Sequence, residues 1–191
     1  MSLPLSVLIS GRGSNLQSLI DAEQDAYDIK LVISNRPGAA GLERARTAGI
    51  EAIAIDHRAF AKDREAFERD MDAALRARGI ELVALAGFMR VLTPSFVRAW
   101  AGRLVNIHPS LLPKYPGVDT HERALAAGDT EAGCTVHLVT EEVDSGPILG
   151  QARVPILPGD TPDALAARVL VQEHKLYPAC LAEFARAKAK P

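Results

Sequence analysis

Five short apolar runs alternate with amphipathic stretches over the first 108 residues, and the fourth, Leu82-Val83-Ala84-Leu85-Ala86, contains no polar residue. A strand that is apolar on both sides must be covered on both sides. Strands of this kind joined by helices form a parallel, doubly wound sheet with right-handed crossovers. The runs expected as strands are Leu5 to Ser10, Ile29 to Ser34, Ala52 to Ile55, Leu82 to Ala86 and Leu104 to His108. Helices are expected from Leu16, from about Gly41 to Ala48, from Asp63 to Arg78 and from Pro94 through Trp100, with Phe67, Met71, Ala74 and Leu75 at helical spacing in the third. All five strands then end on one edge of the sheet, where such folds bind ligands.

Four segments following strand ends carry unusual chemistry. Gly11-Arg12-Gly13-Ser14-Asn15 joins the first strand to a helix, so its backbone N–H groups and the helix dipole make an anion cradle, or else a tight turn capped by Ser14 or Asn15. The dinucleotide motif G-x-G-x-x-G is incomplete, because Leu16 takes its third glycine position and Ser34-Asn35-Arg36 offers no ribose-binding acid. A single phosphomonoester suits the loop better, although Arg36 could face a 2′-phosphate. Arg64 begins the third helix, where a cation opposes the dipole and either reaches solvent or holds an anion. Gly87-Phe88-Met89-Arg90-Val91-Leu92 is too apolar for a solvated loop; it packs on the core or takes a flat heteroaromatic ligand.

The fourth segment is Asn106-Ile107-His108-Pro109. Side chains alternate along a strand, so Asn106 and His108 share a face, and Pro109 ends the ladder immediately after them.

Past His108 the pattern changes. Pro109, Pro113 and Pro116-Gly117 impose an irregular path, and a short helix with Arg123 and Leu125 follows. Cys134 to Val139 and Ile148 to Val154 read as strands about the turn Asp144-Ser145-Gly146-Pro147, an antiparallel extension of the sheet. Thr135 and His137 lie on one face of the first. The last helix starts at Thr161-Pro162 and carries a stripe of Leu165, Val169, Leu176, Cys180 and Phe184, with Glu173 inside its arc. A carboxylate there needs a partner or a ligand. Pro178 is expected to kink or restart the helix, and residues from Ala185 to Pro191 to fray.

A chain of 191 residues with 48% apolar residues is expected to form one domain. Its net charge of −2, with acids and bases interspersed, favours no nucleic-acid partner. No apolar run approaches the ~20 residues of a membrane span, and Leu5 to Ser10 reads as a strand, not a leader. Cys134 and Cys180 fit no metal or redox spacing and suit free thiols in a reducing cytoplasm, and the five histidines show no zinc-ligand spacing.

Asn106 and His108, joined by a carboxylate from the Asp144 turn, make a kit for acyl transfer through a tetrahedral intermediate. An imidazolium can protonate the developing oxyanion, the amide can donate to the same oxygen, and Asp144 would orient and charge the ring. No serine or cysteine sits in an elbow motif, so direct attack by a bound amine is expected.

The Gly11 to Asn15 loop, Ala86 to Leu92, the block Asn106-Ile107-His108-Pro109-Ser110-Leu111-Leu112-Pro113-Lys114-Tyr115-Pro116-Gly117 and Asp144 to Pro147 together resemble the folate-dependent phosphoribosylglycinamide formyltransferases of purine biosynthesis. The resemblance implies a Rossmann-type half (1–108) holding phosphate, a folate-binding and catalytic half (109–191), and formyl transfer from 10-formyltetrahydrofolate to the amine of glycinamide ribonucleotide. It implies catalytic roles for Asn106, His108 and Asp144, and ribonucleotide contacts for Arg12, Gly13, Ser14, Asn15 and Glu173. Folate contacts would fall to Arg64, Met89, Arg90, Val91, Leu92 and Asn106, with small-molecule partners only, no metal, and a homodimer left open. Arg12 and Ser145 depart from the family's commoner residues. A 10-formyltetrahydrofolate hydrolase, with water as acceptor, is the alternative.

Overall fold

The computed structural model describes residues 2–189. Seven strands form one sheet in the order β3-β2-β1-β4-β5-β6-β7. They are β1 (Leu3–Ile9), β2 (Tyr27–Ser34), β3 (Glu51–Ala54), β4 (Leu82–Leu85), β5 (Leu104–His108), β6 (Glu131–Leu138) and β7 (Ile148–Pro155). Strands β1 to β5 are mutually parallel where they pair, whereas β6 runs antiparallel to β5 and β7 antiparallel to β6. The doubly wound sheet with an antiparallel extension is therefore as expected from the sequence, with strand bounds shifted by up to three residues. Six helices are described: α1 (Ser14–Asp21), α2 (Ala40–Thr47), α3 (Arg64–Arg76), α4 (Pro94–Ala99), α5 (Thr120–Ala126) and α6 (Pro162–Lys188), and a 3-10 turn at His57–Phe60 precedes α3.

Alternation along β1 sorts the core into two layers. Val7 and Ile9 pack with Leu16, Leu19, Leu42 and Tyr177 from α1, α2 and α6, while Leu8 packs with Phe67, Met71, Phe96 and Trp100 from the α3–α4 side. Helix starts follow capping chemistry: Asp63, Thr93 and Thr161 each accept from the backbone N–H three residues on, and Pro94 and Pro162 occupy the first turns behind them.

Three expectations are corrected. Helix α6 continues through Pro178 to Lys188, so there is no restart and no fraying at Ala185; Lys190 and Pro191 lie outside the described residues. An interior proline costs about 3 kcal/mol, which burial of Tyr177, Leu181, Ala182 and Ala185 on both sides of it offsets. The stripe is centred one position away from Leu176, Cys180 and Phe184, which are only half-buried; it runs Leu165, Val169, Glu173, Tyr177, Leu181. Finally, α1 is capped neither by Ser14 nor by Asn15: Gly13 occupies the cap in a left-handed conformation (φ 74°), with no side-chain hydrogen bond.

Gly13 has a packing reason as well. A Cβ there would stand 2.7 Å from Gly41 Cα, and one on Gly41 would stand 2.5 Å from Ile9 Cδ1. The two glycines let the loop after β1 lie directly on the start of α2, where Gly41 N–H donates to Gly11 O at 3.0 Å.

Candidate active site

His108 closes β5 and is 5% exposed, deep for an ionisable ring. Its Nε2 lies 2.9 Å from the carbonyl of Tyr115, and its Nδ1 lies 3.4 Å from Asp144 Oδ2. Both neighbours are oxygen acceptors, a geometry that a ring with hydrogen on each nitrogen satisfies. Tyr115 reaches this place by a left-handed turn (φ 54°), its loop tied down by Ser110 Oγ donating to Lys114 O at 2.6 Å and by Tyr115 OH donating to Asp129 at 2.8 Å.

Asp144 arrives from the turn between β6 and β7, also left-handed (φ 53°). Burial pushes its carboxyl up, but the nearby His137 imidazole, the Gly117 N–H at 2.8 Å and the field of His108 outweigh it, leaving the carboxyl below its ordinary value. The expected pairing of Asp144 with His108 is thus present in the geometry.

His137 completes the cluster, a place that sequence reasoning did not give it. The antiparallel register sets His137 directly opposite Asn106. Its Nδ1 lies 2.9 Å from the Leu138 carbonyl, which fixes the hydrogen there. Nε2 is 3.3 Å from Asn106 Nδ2 and 3.6 Å from Asp144 Oδ1. With the hydrogen on Nδ1, Nε2 accepts from the Asn106 amide. The only signal in the sequence was its alternation with Thr135, which itself is wholly buried and donates to Ser110 O at 2.7 Å beneath the same loop.

The Gly11 loop runs beside this rim. Arg12 is exposed, Ser14 opens α1, and Asn15 Nδ2 donates to Glu173 Oε2 at 2.7 Å across 158 residues of sequence. Glu173 is 7% exposed, and burial raises its carboxyl above the ordinary value despite the Asn15 hydrogen bond. Asn15 Oδ1 is buried with no partner among the described residues, so an acceptor stands open beside the loop.

The loop after β4 divides. Phe88 and Leu92 turn into the core, whereas Met89 and Val91 are 70% and 57% exposed. Arg90 lies over the Phe67 ring, 5.4 Å from its centroid, and so ties the loop to α3. Arg64, three residues before Phe67, is exposed and has no side-chain partner among the described residues. A buried relay joins this loop to β1 and β2: Met89 N–H donates to Ser10 Oγ at 2.8 Å, and that hydroxyl donates to Asn35 Oδ1 at 2.6 Å. Of the residues expected at the site, then, Asn106, His108 and Asp144 meet in one cluster through His137 and Asn15 meets Glu173, while Leu92 lies in the core and the Arg64 side chain makes no hydrogen bond or ion pair among the described residues.

Among the described residues no group of three or more His, Cys, Asp or Glu side chains is placed to hold a metal ion, and no helix is long and apolar enough to cross a membrane. Both cysteines are free thiols.

Fold and site define a doubly wound α/β protein with acid–base and hydrogen-bonding groups gathered after its fifth strand and an anion-type loop after its first. The chain belongs to the formyl transferase family, whose profile matches residues 4–181. It is 50% identical over 187 residues to the phosphoribosylglycinamide formyltransferase of Escherichia coli, covering 96% of this chain and 88% of that one. It is 54% identical over 183 residues to the trifunctional purine biosynthetic protein adenosine-3 of Drosophila melanogaster, covering 93% of this chain but only 14% of that much longer protein. Solved phosphoribosylglycinamide formyltransferases share the fold, that of Coxiella burnetii with a TM-score of 0.92 at 49% identity, covering 98% of this chain and 89% of that one.

Proposed function

We propose that the protein transfers the formyl group of 10-formyltetrahydrofolate to the amine of glycinamide ribonucleotide, giving formylglycinamide ribonucleotide and tetrahydrofolate in de novo purine biosynthesis. The observation that carries this reading is the meeting of Asn106, His108 and Asp144 beside a loop suited to a phosphate. The amine nitrogen bonds to the formyl carbon, and the carbonyl oxygen becomes an oxyanion. Asn106 donates to that oxygen and His108 acts as general acid, with Asp144 orienting the ring and favouring its charged form. The attacking nitrogen gives up a proton to Asp144, directly or through water, and the bond to folate N10 then breaks as that proton passes on to N10, leaving the amide and tetrahydrofolate.

The ribonucleotide phosphate sits on Arg12, Gly13, Ser14 and Asn15, and Glu173 receives the glycinamide end. The folate ring lies along Met89 to Leu92, and Arg64 and Arg90 meet its acidic tail. The exposed apolar side chains of Met89 and Val91 support that placement, since they leave surface for a flat ring to cover. The same reading needs no metal and puts the reaction in the cytoplasm.

The test mixes enzyme and 10-formyltetrahydrofolate with and without glycinamide ribonucleotide, following folate by absorbance and formylated product by mass. Product formation that requires the ribonucleotide is expected. Release of formate in its absence, at a comparable rate, would replace the acceptor by water and make the protein a hydrolase.

A further inference from the structure

A second cleft, of about 730 Å³, opens over the ends of β1, β2 and β3, between the Gly11–Arg12 turn, the segment from Arg36 to Ala40 and the 3-10 turn at His57–Arg58. Apart from Arg12, no residue of it has a part in formyl transfer as proposed above. Its walls carry three guanidinium groups in a chain whose net charge is −2. Arg12 and Arg36 are exposed, and neither side chain has a hydrogen-bond or ion-pair partner among the described residues. Arg58 is held in place by its neighbour, with Nη2 2.7 Å from Asp56 Oδ2 and Nε 2.9 Å from Asp56 Oδ1. That ion pair orients the guanidinium and leaves its Nη1 without a partner among the described residues.

His57 is set in a similar way. Its Nδ1 is held between the carbonyl of Asn35 at 2.8 Å and the Asn35 side-chain Nδ2 at 3.2 Å, which orients the ring, and Nε2 has no partner among the described residues. The start of α2 adds backbone donors: Ala39, at the cap, supplies no side-chain hydrogen bond, and the Ala40 N–H has no acceptor among the described residues. Gly38 meets nothing within 4 Å, so the floor is open.

Two arginines outside the ribonucleotide loop, Arg36 and Arg58, an oriented imidazole and the Ala40 N–H gather where an arginine after the second strand of a doubly wound sheet meets a ribose-linked phosphate. The ligand is not read as a dinucleotide, because Leu16 takes the place of the third glycine, which in that motif lets helix and strand pack closely. Nor is it a bare phosphate by size, since the cleft falls within the roughly 300–1,000 Å³ of small-molecule sites. We propose that this cleft is a second anion subsite, separate from the Gly13–Asn15 loop, which binds a phosphomonoester carried on a nucleoside through Arg36, Arg58 and His57.

The test is calorimetric titration of the protein with adenosine 2′-monophosphate, with inorganic phosphate and adenosine titrated separately. Binding is expected for the nucleotide and to be weaker for both fragments. It should fall by about tenfold or more in Arg36→Ala and in the double variant with Arg58→Ala, since each removes a charge-assisted contact. Formyl transfer should be unchanged in these variants, which shows that they fold and separates this outcome from the fate of the proposed reaction. No binding to the wild-type protein overturns the proposal. So does binding that survives in the double variant, which would place the ligand on the Gly13–Asn15 loop, and so does nucleotide binding no tighter than that of inorganic phosphate.

Discussion

Gly13→Ala tests the link between the glycine loop and everything placed on it. The substitution acts twice. An alanine at φ 74° adopts the left-handed region, which costs about 1–2 kcal/mol. Its Cβ also lands 2.7 Å from Gly41 Cα, so loop and helix must separate by roughly 0.8 Å to reach ordinary contact. Gly41 cannot retreat freely, because it is itself packed against Ile9 and hydrogen-bonded to Gly11 O. Overpacking of this kind costs about 1–3 kcal/mol. The total of about 2–5 kcal/mol corresponds to a fall in Tm of roughly 4–20 °C for a chain of this size. Thermal and urea unfolding measure it directly, with Gly38→Ala as the control, because nothing lies within 4 Å of that position and its Tm should hold. The KM for glycinamide ribonucleotide should rise together with the loss of stability, since the same displacement moves the Ser14 and Asn15 donors. A Gly13→Ala protein within about 0.5 kcal/mol of wild type and with an unchanged KM would refute both the steric reasoning and the role of the loop.

Asn106→Ala should lose roughly 10²–10³ in kcat with the fold intact, the usual loss for one oxyanion donor, and wild-type turnover would remove Asn106 from the mechanism. Asp144 sits below its ordinary value of 3.8, so its contribution to stability is present above that pH and lost as pH falls through the lower folded value. Asp144→Asn should therefore flatten the acid limb of a Tm-against-pH curve, and an unaltered limb would count against the pairing. Glu173 is shifted the other way, above 4.5, so its favourable protonated state is lost as pH rises through the raised value. Glu173→Gln should gain Tm relative to wild type as pH rises through that window while binding the ribonucleotide less well; a constant offset in Tm would contradict the burial argument.

Much of this was legible from residue order. The apolar run of Leu82 to Ala86 announced a buried parallel strand, and Pro109 fixed the end of β5 to the residue. The turn at Asp144 was visible between two β-type runs, and its carboxylate was a candidate partner for His108, but residue order alone does not bring the two together. What remained hidden depends on register and long range. Whether β6 faced His137 or a neighbour toward Asn106 is set by antiparallel pairing, in which a slip of one residue turns the imidazole to the other side of the sheet. Gly13 read as part of an anion cradle or a tight turn, and only Gly41, far off in sequence, supplies the surface that excludes a side chain there. Pro178 does not end the helix as the usual rule against interior prolines predicts; burial of Tyr177, whose hydroxyl lies 2.9 Å from Leu85 O and 3.0 Å from Val105 O, anchors the helix across it.

The hydrogen bond between Asn15 and Glu173 has a bearing on the order in which the chain is made. A ribosome releases the glycine loop early, and the first five strands can pair before the last helix has been synthesised. Yet the carboxylate that turns Asn15 toward the rim is 158 residues downstream. A nascent chain therefore completes strands β1 to β5 while the proposed ribonucleotide pocket still lacks one side. The pocket closes only when α6 docks, and a chain cut short before Glu173 should leave a phosphate loop without its substrate grip.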